Sequence, residues 1–171
     1  MKKEELIKKV VEVAESYERE NTGCAQCVLG SFKTVFNTIS DDVFKAGTGL
    51  CGGIGGTGNA CGALTGGVMV LSVYLGREFD NFEDPGFEMQ GKNRKLVKEL
   101  YDFFIDEYGG ITCKEVQKAM LGRSYDFFDE KELAEWEEST AHEVECPMVV
   151  GRSVKLITEI LIREGLIEIE E

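Results

Sequence analysis

The glycine-rich segment Gly49–Gly67 constrains the fold of this chain more than any other part of the sequence. It reads GLCGGIGGTGNACGALTGG: nine of its nineteen residues are glycine, two are cysteine and none is charged. It stands in a chain in which 30% of the residues are charged. An uncharged, flexible segment of this kind is compatible with a phosphate-binding loop, a membrane segment or a scaffold for cysteine chemistry. The flanking sequence distinguishes between these three interpretations.

Along most of the remaining chain, apolar residues recur at helical spacing. The predicted helices cover Lys3–Arg19, about Gly23 to Phe36, a short stretch after Ser40, Ala60–Leu75, Phe87–Tyr108, Cys113–Leu121, a short exposed stretch around Leu133–Trp136, and Cys146 to near Gly165. The 171 residues include only two prolines and no alternating strand pattern. We therefore predict an all-α, single-domain helical bundle over residues 1–171, with a core from 21 to 165 preceded by an amphipathic helix over 1–20.

The apolar stretch Ala60–Leu75 is predicted to be a buried central helix. Its 16 residues fall short of the roughly 20 that cross a bilayer. Gly62 and Gly66 lie four residues apart, a spacing that lets another helix approach closely. The two G-x-G-x-x-G matches at Gly47–Gly52 and Gly53–Gly58 have no preceding strand, and no GKS or GKT follows. We expect neither a membrane insertion nor a nucleotide site.

The net charge of −13 arises from 19 basic and 32 acidic residues. It argues against nucleic acid and anionic membranes as partners, because both favour a cationic face. An acidic surface suits docking of a basic redox partner protein, and the glycine face of Ala60–Leu75 suits a homodimer. The start, MKKEELIKKVVEVAESYERE, has no apolar secretory region, so we expect a cytoplasmic protein. Six cysteines in that compartment favour metal-binding, catalytic or redox roles.

Four of the six cysteines open predicted helices. Cys24 follows Asn-Thr-Gly, Cys61 follows the expected N-cap Asn59, Cys113 follows Thr112 of a capping box, and Cys146 precedes a proline. Because the positive end of a helix stabilises an anion, these thiols are expected to have lowered pKa values and to meet around one centre. Gly52, Gly53, Gly55, Gly62 and Gly66 are expected to bring backbone close to that centre.

Cys27 lies one turn after Cys24 in the motif CAQC, and Cys51 lies within the glycine-rich segment. No histidine follows Cys27, so there is no c-type haem attachment motif. His142, the single histidine, lies four residues before Cys146 and is an accessory ligand or base candidate. Phe127, Phe128 and Trp136 are expected to form a lid over the cysteines or to cover the core.

The motifs CAQCVLGSF, GLCGGIGG, CGALTGG and CPMVV, with Cys113 just past a long helix, resemble the C_GCAxxG_C_C family. The resemblance runs from about Asn21 to Leu161, and its CGAxxG element is Cys61–Gly66. It implies a helical domain whose redox role is inferred from its cysteines, and it implies no known reaction. The four recurrent cysteines of the family map onto Cys24, Cys61, Cys113 and Cys146.

These features leave several functions open. The first is a redox protein whose clustered cysteines bind an iron–sulfur cluster or another metal for electron transfer. The second is a metal-free thiol–disulfide switch that uses Cys24 with Cys27, or Cys51 with Cys61. The third is a structural zinc site in a non-catalytic interaction module, and the fourth is an interaction module with inert buried thiols. No Ser-His-Asp set and no acid–base carboxylate pair assigns an enzymatic reaction.

Overall fold

The computed structural model describes residues 1–170, and the last residue of the predicted domain lies outside this range. Within the described residues the backbone forms eight α-helices and no β-strand, which confirms the all-α prediction. They are α1 (Lys3–Asn21), α2 (Cys24–Phe36), α3 (Asp41–Ala46), α4 (Gly62–Leu75), α5 (Glu88–Tyr108), α6 (Cys113–Leu121), α7 (Glu130–Glu137) and α8 (Cys146–Arg163).

Helix α4 is the central helix of the bundle, packed against α2, α5 and α8. It contains no charged residue, and its three glycines are buried together with Leu64, Val70 and Leu71. Around it, α1 packs along α8 and buries Leu6, Val10 and Ala14. Helix α5 buries its inward stripe, which includes Leu100 and Phe104. None of the helices in residues 1–170 combines the length and the apolar character needed to cross a membrane.

Most helix ends follow the local signals that the sequence contains. The Ser40 side chain caps α3 by accepting the amide of Val43, and Thr112 and Glu115 form the expected capping box at α6. Gly109 and Gly122 end α5 and α6 in left-handed conformations.

One helix start differs from the prediction, and another is as predicted but is not a free terminus. Asn59 is not the N-cap of α4: the helix begins at Gly62, Cys61 occupies the N-cap position, and Ala60 forms an antiparallel bridge with Thr112. That bridge holds the chain extended for two residues longer than expected. Helix α8 does begin at Cys146, but a π-helical turn over Ala141–Glu145 runs directly into it, so its first turn is not a free helix terminus.

Small residues allow α2 and the glycine-rich loop to approach α4 closely. A Cβ on Gly62 would overlap the sulfur of Cys24, and a Cβ on Gly66 would lie 2.7 Å from the carbonyl oxygen of Ala25. In the loop, Gly53 has a φ of +73°, and a Cβ there would lie 2.5 Å from the backbone of Asn59. The glycine face of α4 is thus filled by α2 of the same chain, and this face is not available to a second copy.

Replacing Gly66 by alanine is expected to destabilise the fold by about 1–3 kcal/mol, since the added methyl meets backbone that cannot rotate away. The matched control is Gly91→Ala in α5, where a Cβ meets nothing within 4 Å. That change is expected to stabilise the protein by about 0.5–1 kcal/mol. Urea unfolding of both variants measures the difference, and equal unfolding free energies would contradict the close α2–α4 packing.

Candidate functional site

Four cysteines from distant parts of the sequence line one small cavity of about 40 Å³. They come from the start of α2, the residue before α4, the start of α6 and the start of α8: Cys24, Cys61, Cys113 and Cys146. Apolar side chains of α6 and α8, among them Val116 and Val150, complete the wall. The structure therefore brings together the four helix-opening cysteines that the sequence singles out.

Backbone pairing between the glycine-rich loop and the start of α6 positions two of these cysteines. The amide of Cys61 donates to the carbonyl of Ile111 at 2.8 Å, and the amide of Cys113 donates to the carbonyl of Asn59 at 2.6 Å. The Ala60–Thr112 bridge lies between these two hydrogen bonds. This short ladder fixes the register of the two segments and directs both cysteines to the same side.

The expectation that these four thiols have lowered pKa values is wrong. Burial raises the pKa of Cys61 to about 11 and that of Cys113 to about 12, and it also raises the pKa of Cys146 well above its ordinary value. Hydrogen bonds from the amides of Ala63 and Leu64 lower the pKa of Cys61, as expected at a helix N-terminus. Desolvation raises the pKa by more than these hydrogen bonds lower it. All four are therefore thiols at neutral pH, including Cys24, whose pKa is also raised.

The pKa of Cys51, on the glycine-rich loop, is lowered, whereas the pKa of each other cysteine is raised. In its thiol form Cys51 donates to the carbonyl oxygen of Gly47, 3.7 Å away, and in its thiolate form it accepts hydrogen bonds from α2. The Cys51 sulfur lies against the N-terminus of α2, 3.5 Å from where a Cβ of Gly23 would stand. There the Cys24 thiol and the amides of Ala25 and Gln26 stabilise its thiolate form. These three donors outweigh partial burial and lower the pKa of Cys51 to about 6. The N-cap of α2 is Gly23, which has no side chain that could accept a hydrogen bond from the first amides of the helix. The Cys51 sulfur, from another segment, occupies the place at this helix N-terminus where an anion is stabilised.

Cys27 lies one turn further along α2 and is nearly fully buried. Its thiol donates to the carbonyl of Thr22 at 3.2 Å, and it also lies beside the carboxyl group of Glu18. Burial and this carboxyl group together raise its pKa far above the ordinary range. Cys27 also lies at the edge of a separate cleft of about 460 Å³ between α1, α2 and α3. It is therefore adjacent to the Cys24–Cys51 contact without belonging to it.

The predicted site residues did not include Glu18 of α1, which is only 4% exposed. Its Oε2 atom is buried without a hydrogen-bond partner. Burial, together with the neighbouring Cys51, raises the pKa of Glu18 from 4.5 to about 7, and the Cys27 thiol offsets part of the rise. The signal was present in the sequence: Leu6, Val10 and Ala14 define a buried stripe at a spacing of four, and residue 18 continues it.

His142 and the three aromatic candidates are not among the residues that line the cysteine cavity. The His142 ring packs against Trp136 with centroids 3.9 Å apart, and burial lowers its pKa. Phe127 packs on Trp136 and faces Gly52 and Gly56 of the loop. The aromatic residues thus cover the glycine-rich loop and do not line the cysteine cavity. Gly52, Gly53 and Gly55 have positive φ angles and shape this loop, whereas Gly62 and Gly66 lie against α2.

A protein-family model described as "Putative redox-active protein (C_GCAxxG_C_C)" matches residues 22–160. The chain belongs to the C_GCAxxG_C_C family. No curated protein and no solved structure matches it. In this C_GCAxxG_C_C protein, the CGAxxG element supplies the N-cap cysteine of α4 and the two glycines that let α2 approach. The family description supports a redox role for the chain.

The cysteines of this C_GCAxxG_C_C protein do not form a preformed metal centre. Within residues 1–170 no group of three or more His, Cys, Asp or Glu side chains is arranged to hold a metal ion. Burial favours the protonated form of the cavity cysteines, so a metal ion that binds them would have to displace their protons.

Proposed function

We propose that this protein is a thiol–disulfide redox protein whose reactive pair is Cys24 and Cys51. The observation that carries the proposal is the position of the half-buried Cys51 sulfur at the N-terminus of α2, 3.5 Å from where a Cβ of Gly23 would stand, next to the half-buried Cys24 thiol that donates to it. Reactive cysteines in proteins combine these properties: a lowered pKa, partial exposure and a neighbouring thiol. The pairing differs from both pairs considered from sequence, because the loop carries Cys51 to α2 and not to Cys61.

The pair supports a balanced exchange with a disulfide substrate. The Cys51 thiolate attacks one substrate sulfur, forms a mixed disulfide and displaces one substrate thiolate. Cys24 then attacks the Cys51 sulfur, which closes the internal disulfide and displaces the second substrate thiolate. The proton of Cys24 passes to one displaced thiolate, so two electrons move from the protein to the substrate, and the reverse reaction reduces the protein. Closure requires the two Cα atoms to lie within about 7 Å of each other.

Disulfide mapping tests the proposal. Reduced protein is equilibrated with mixtures of reduced and oxidised glutathione, blocked, digested and analysed by mass spectrometry. We expect reversible loss of two thiols and a peptide that joins Cys24 to Cys51. In Cys24→Ser, the mixed disulfide between Cys51 and glutathione is expected to accumulate, because no second thiol resolves it. A reversible disulfide between other cysteines, or none at all, would show that the assignment of the pair is wrong.

A metal centre is the second candidate, and the convergence of Cys24, Cys61, Cys113 and Cys146 on one cavity is the observation that favours it. It requires these side chains to lose their protons and to rearrange. Iron, zinc and labile sulfide are therefore measured on protein purified without oxygen. Stoichiometric iron with sulfide would support the iron–sulfur prediction and one zinc would support the structural-zinc prediction. Either result would overturn the thiol–disulfide proposal.

A further inference from the structure

The carboxyl group of Glu18 has an unusual position for a charged residue. It is held inside the bundle with Oε2 unpartnered. The basic residue next to it in sequence, Arg19, binds the Glu15 carboxylate at 2.8 Å and the carbonyl of Glu143. A buried carboxylate without a cation is costly, so such a group tends to hold a proton or to serve a function.

Several thiols lie close enough to this carboxyl group for its charge to act on them. Its charge raises the pKa values of thiols on α2, the residue before α4, α6 and α8, namely Cys24, Cys27, Cys61, Cys113 and Cys146, and Cys51 in turn raises the pKa of Glu18. The turn over residues 141–145, which also packs against α1, carries His142, Glu143 and Glu145. The negative charge of the Cys51 thiolate and that of Glu18 therefore compete within one poorly solvated region.

We propose that Glu18 takes up the second proton when the Cys24–Cys51 disulfide is reduced, so that Cys51 remains a thiolate. This inference rests on the proposed function. Two substrate thiols supply two electrons and two protons. One proton goes to Cys24, the other goes to the Glu18 carboxylate, and the substrate leaves as a disulfide. The charge is −1 before and after the step, carried first by Glu18 and then by Cys51. On oxidation Glu18 releases its proton again.

The physical reason is the loss of the thiolate charge on oxidation. A disulfide is neutral, so closing the Cys24–Cys51 bond removes the repulsion that Cys51 exerts on Glu18. The carboxyl group then ionises more easily. Conversely, a proton on Glu18 removes a negative charge from the neighbourhood of Cys51 and stabilises the reactive thiolate. Glu18 is thus a positioning residue that controls how easily Cys51 stays a thiolate, and it does not touch the substrate.

Redox-difference infrared spectroscopy tests this inference directly. In wild-type protein, reduction is expected to produce a protonated-carboxyl C=O band that disappears on reoxidation. Glu18→Gln should lack this band, and Glu18→Asp should retain a shifted one. The matched control is Glu12→Gln on the exposed side of the same helix, where the glutamate is 65% exposed. That variant should keep the wild-type band, and a band that survives in Glu18→Gln would overturn the inference.

The pH dependence of the equilibrium with glutathione gives a second readout. In Glu18→Gln the couple takes up one proton for two electrons, so the oxidised-to-reduced ratio at fixed glutathione composition should fall about tenfold per pH unit between pH 6.5 and 7.5. In wild type, oxidation also releases the proton of Glu18. The oxidised-to-reduced ratio should therefore fall by less than about fivefold per pH unit. If the Cys24–Cys51 disulfide forms but wild type and variant give equal slopes, only the role of Glu18 is wrong. If no such disulfide forms, the proposed function itself is wrong.

Discussion

At pH 7, iodoacetamide is expected to modify Cys51 at least about tenfold faster than any other cysteine of the reduced protein. With a pKa of about 6, this sulfur is about nine-tenths thiolate at that pH. A thiol with a pKa of about 11, such as Cys61, is thiolate only to about one part in ten thousand. The lower intrinsic nucleophilicity of a weakly basic thiolate offsets part of this advantage, and the burial of the other sulfurs adds to it.

Variants separate the causes of this reactivity. Cys51→Ser should remove the fast phase seen by mass spectrometry, whereas Cys113→Ser should leave it unchanged. Cys24→Ser removes the strongest donor to Cys51, so the midpoint of the rate against pH should move upward from about 6. A fast phase that survives in Cys51→Ser would mean that another cysteine is the thiolate of this site.

Replacing Glu18 by glutamine is expected to stabilise the reduced protein by about 3 kcal/mol at pH 8 and by little at pH 4. The pKa of Glu18 is raised by folding from 4.5 to about 7, so the folded state favours the protonated carboxyl group. The associated stability is present in full below pH 4.5 and is lost as the pH rises through 7. Glutamine is neutral throughout and avoids that loss.

The measurement is the unfolding free energy by urea, compared between variant and wild type at each pH in the presence of a reductant. The lowered pKa of Cys51 gives a trend of the opposite sign, with stability lost as the pH falls through about 6. Most of this trend is common to both proteins, and the part that remains in the difference is the repulsion between Cys51 and Glu18. Glu12→Gln, at an exposed position of α1, should show no pH-dependent difference. A Glu18→Gln difference that is flat with pH would show that Glu18 is not a buried titrating group.

Local signals in the sequence determined the helices and most of their ends. Residues such as Ser40, Thr112 and Gly122 act on backbone within a few positions, so their effect can be derived without knowing the fold. The same holds for the choice of the four helix-opening cysteines. The prediction for Asn59 was wrong because the competing partner of that segment, around Thr112, lies more than fifty residues away.

The chemistry of each sulfur was decided only by the tertiary structure. A pKa depends on desolvation and on charges a few ångströms away, and these come from segments that packing brings together. The helix N-terminus does stabilise a thiolate, but the sulfur at α2 comes from Cys51 of the loop, and burial reverses the expected shift at Cys61. Glu18 shows the same division: its place on a buried stripe follows from a spacing of four, whereas its thiol neighbours exist only in the folded bundle.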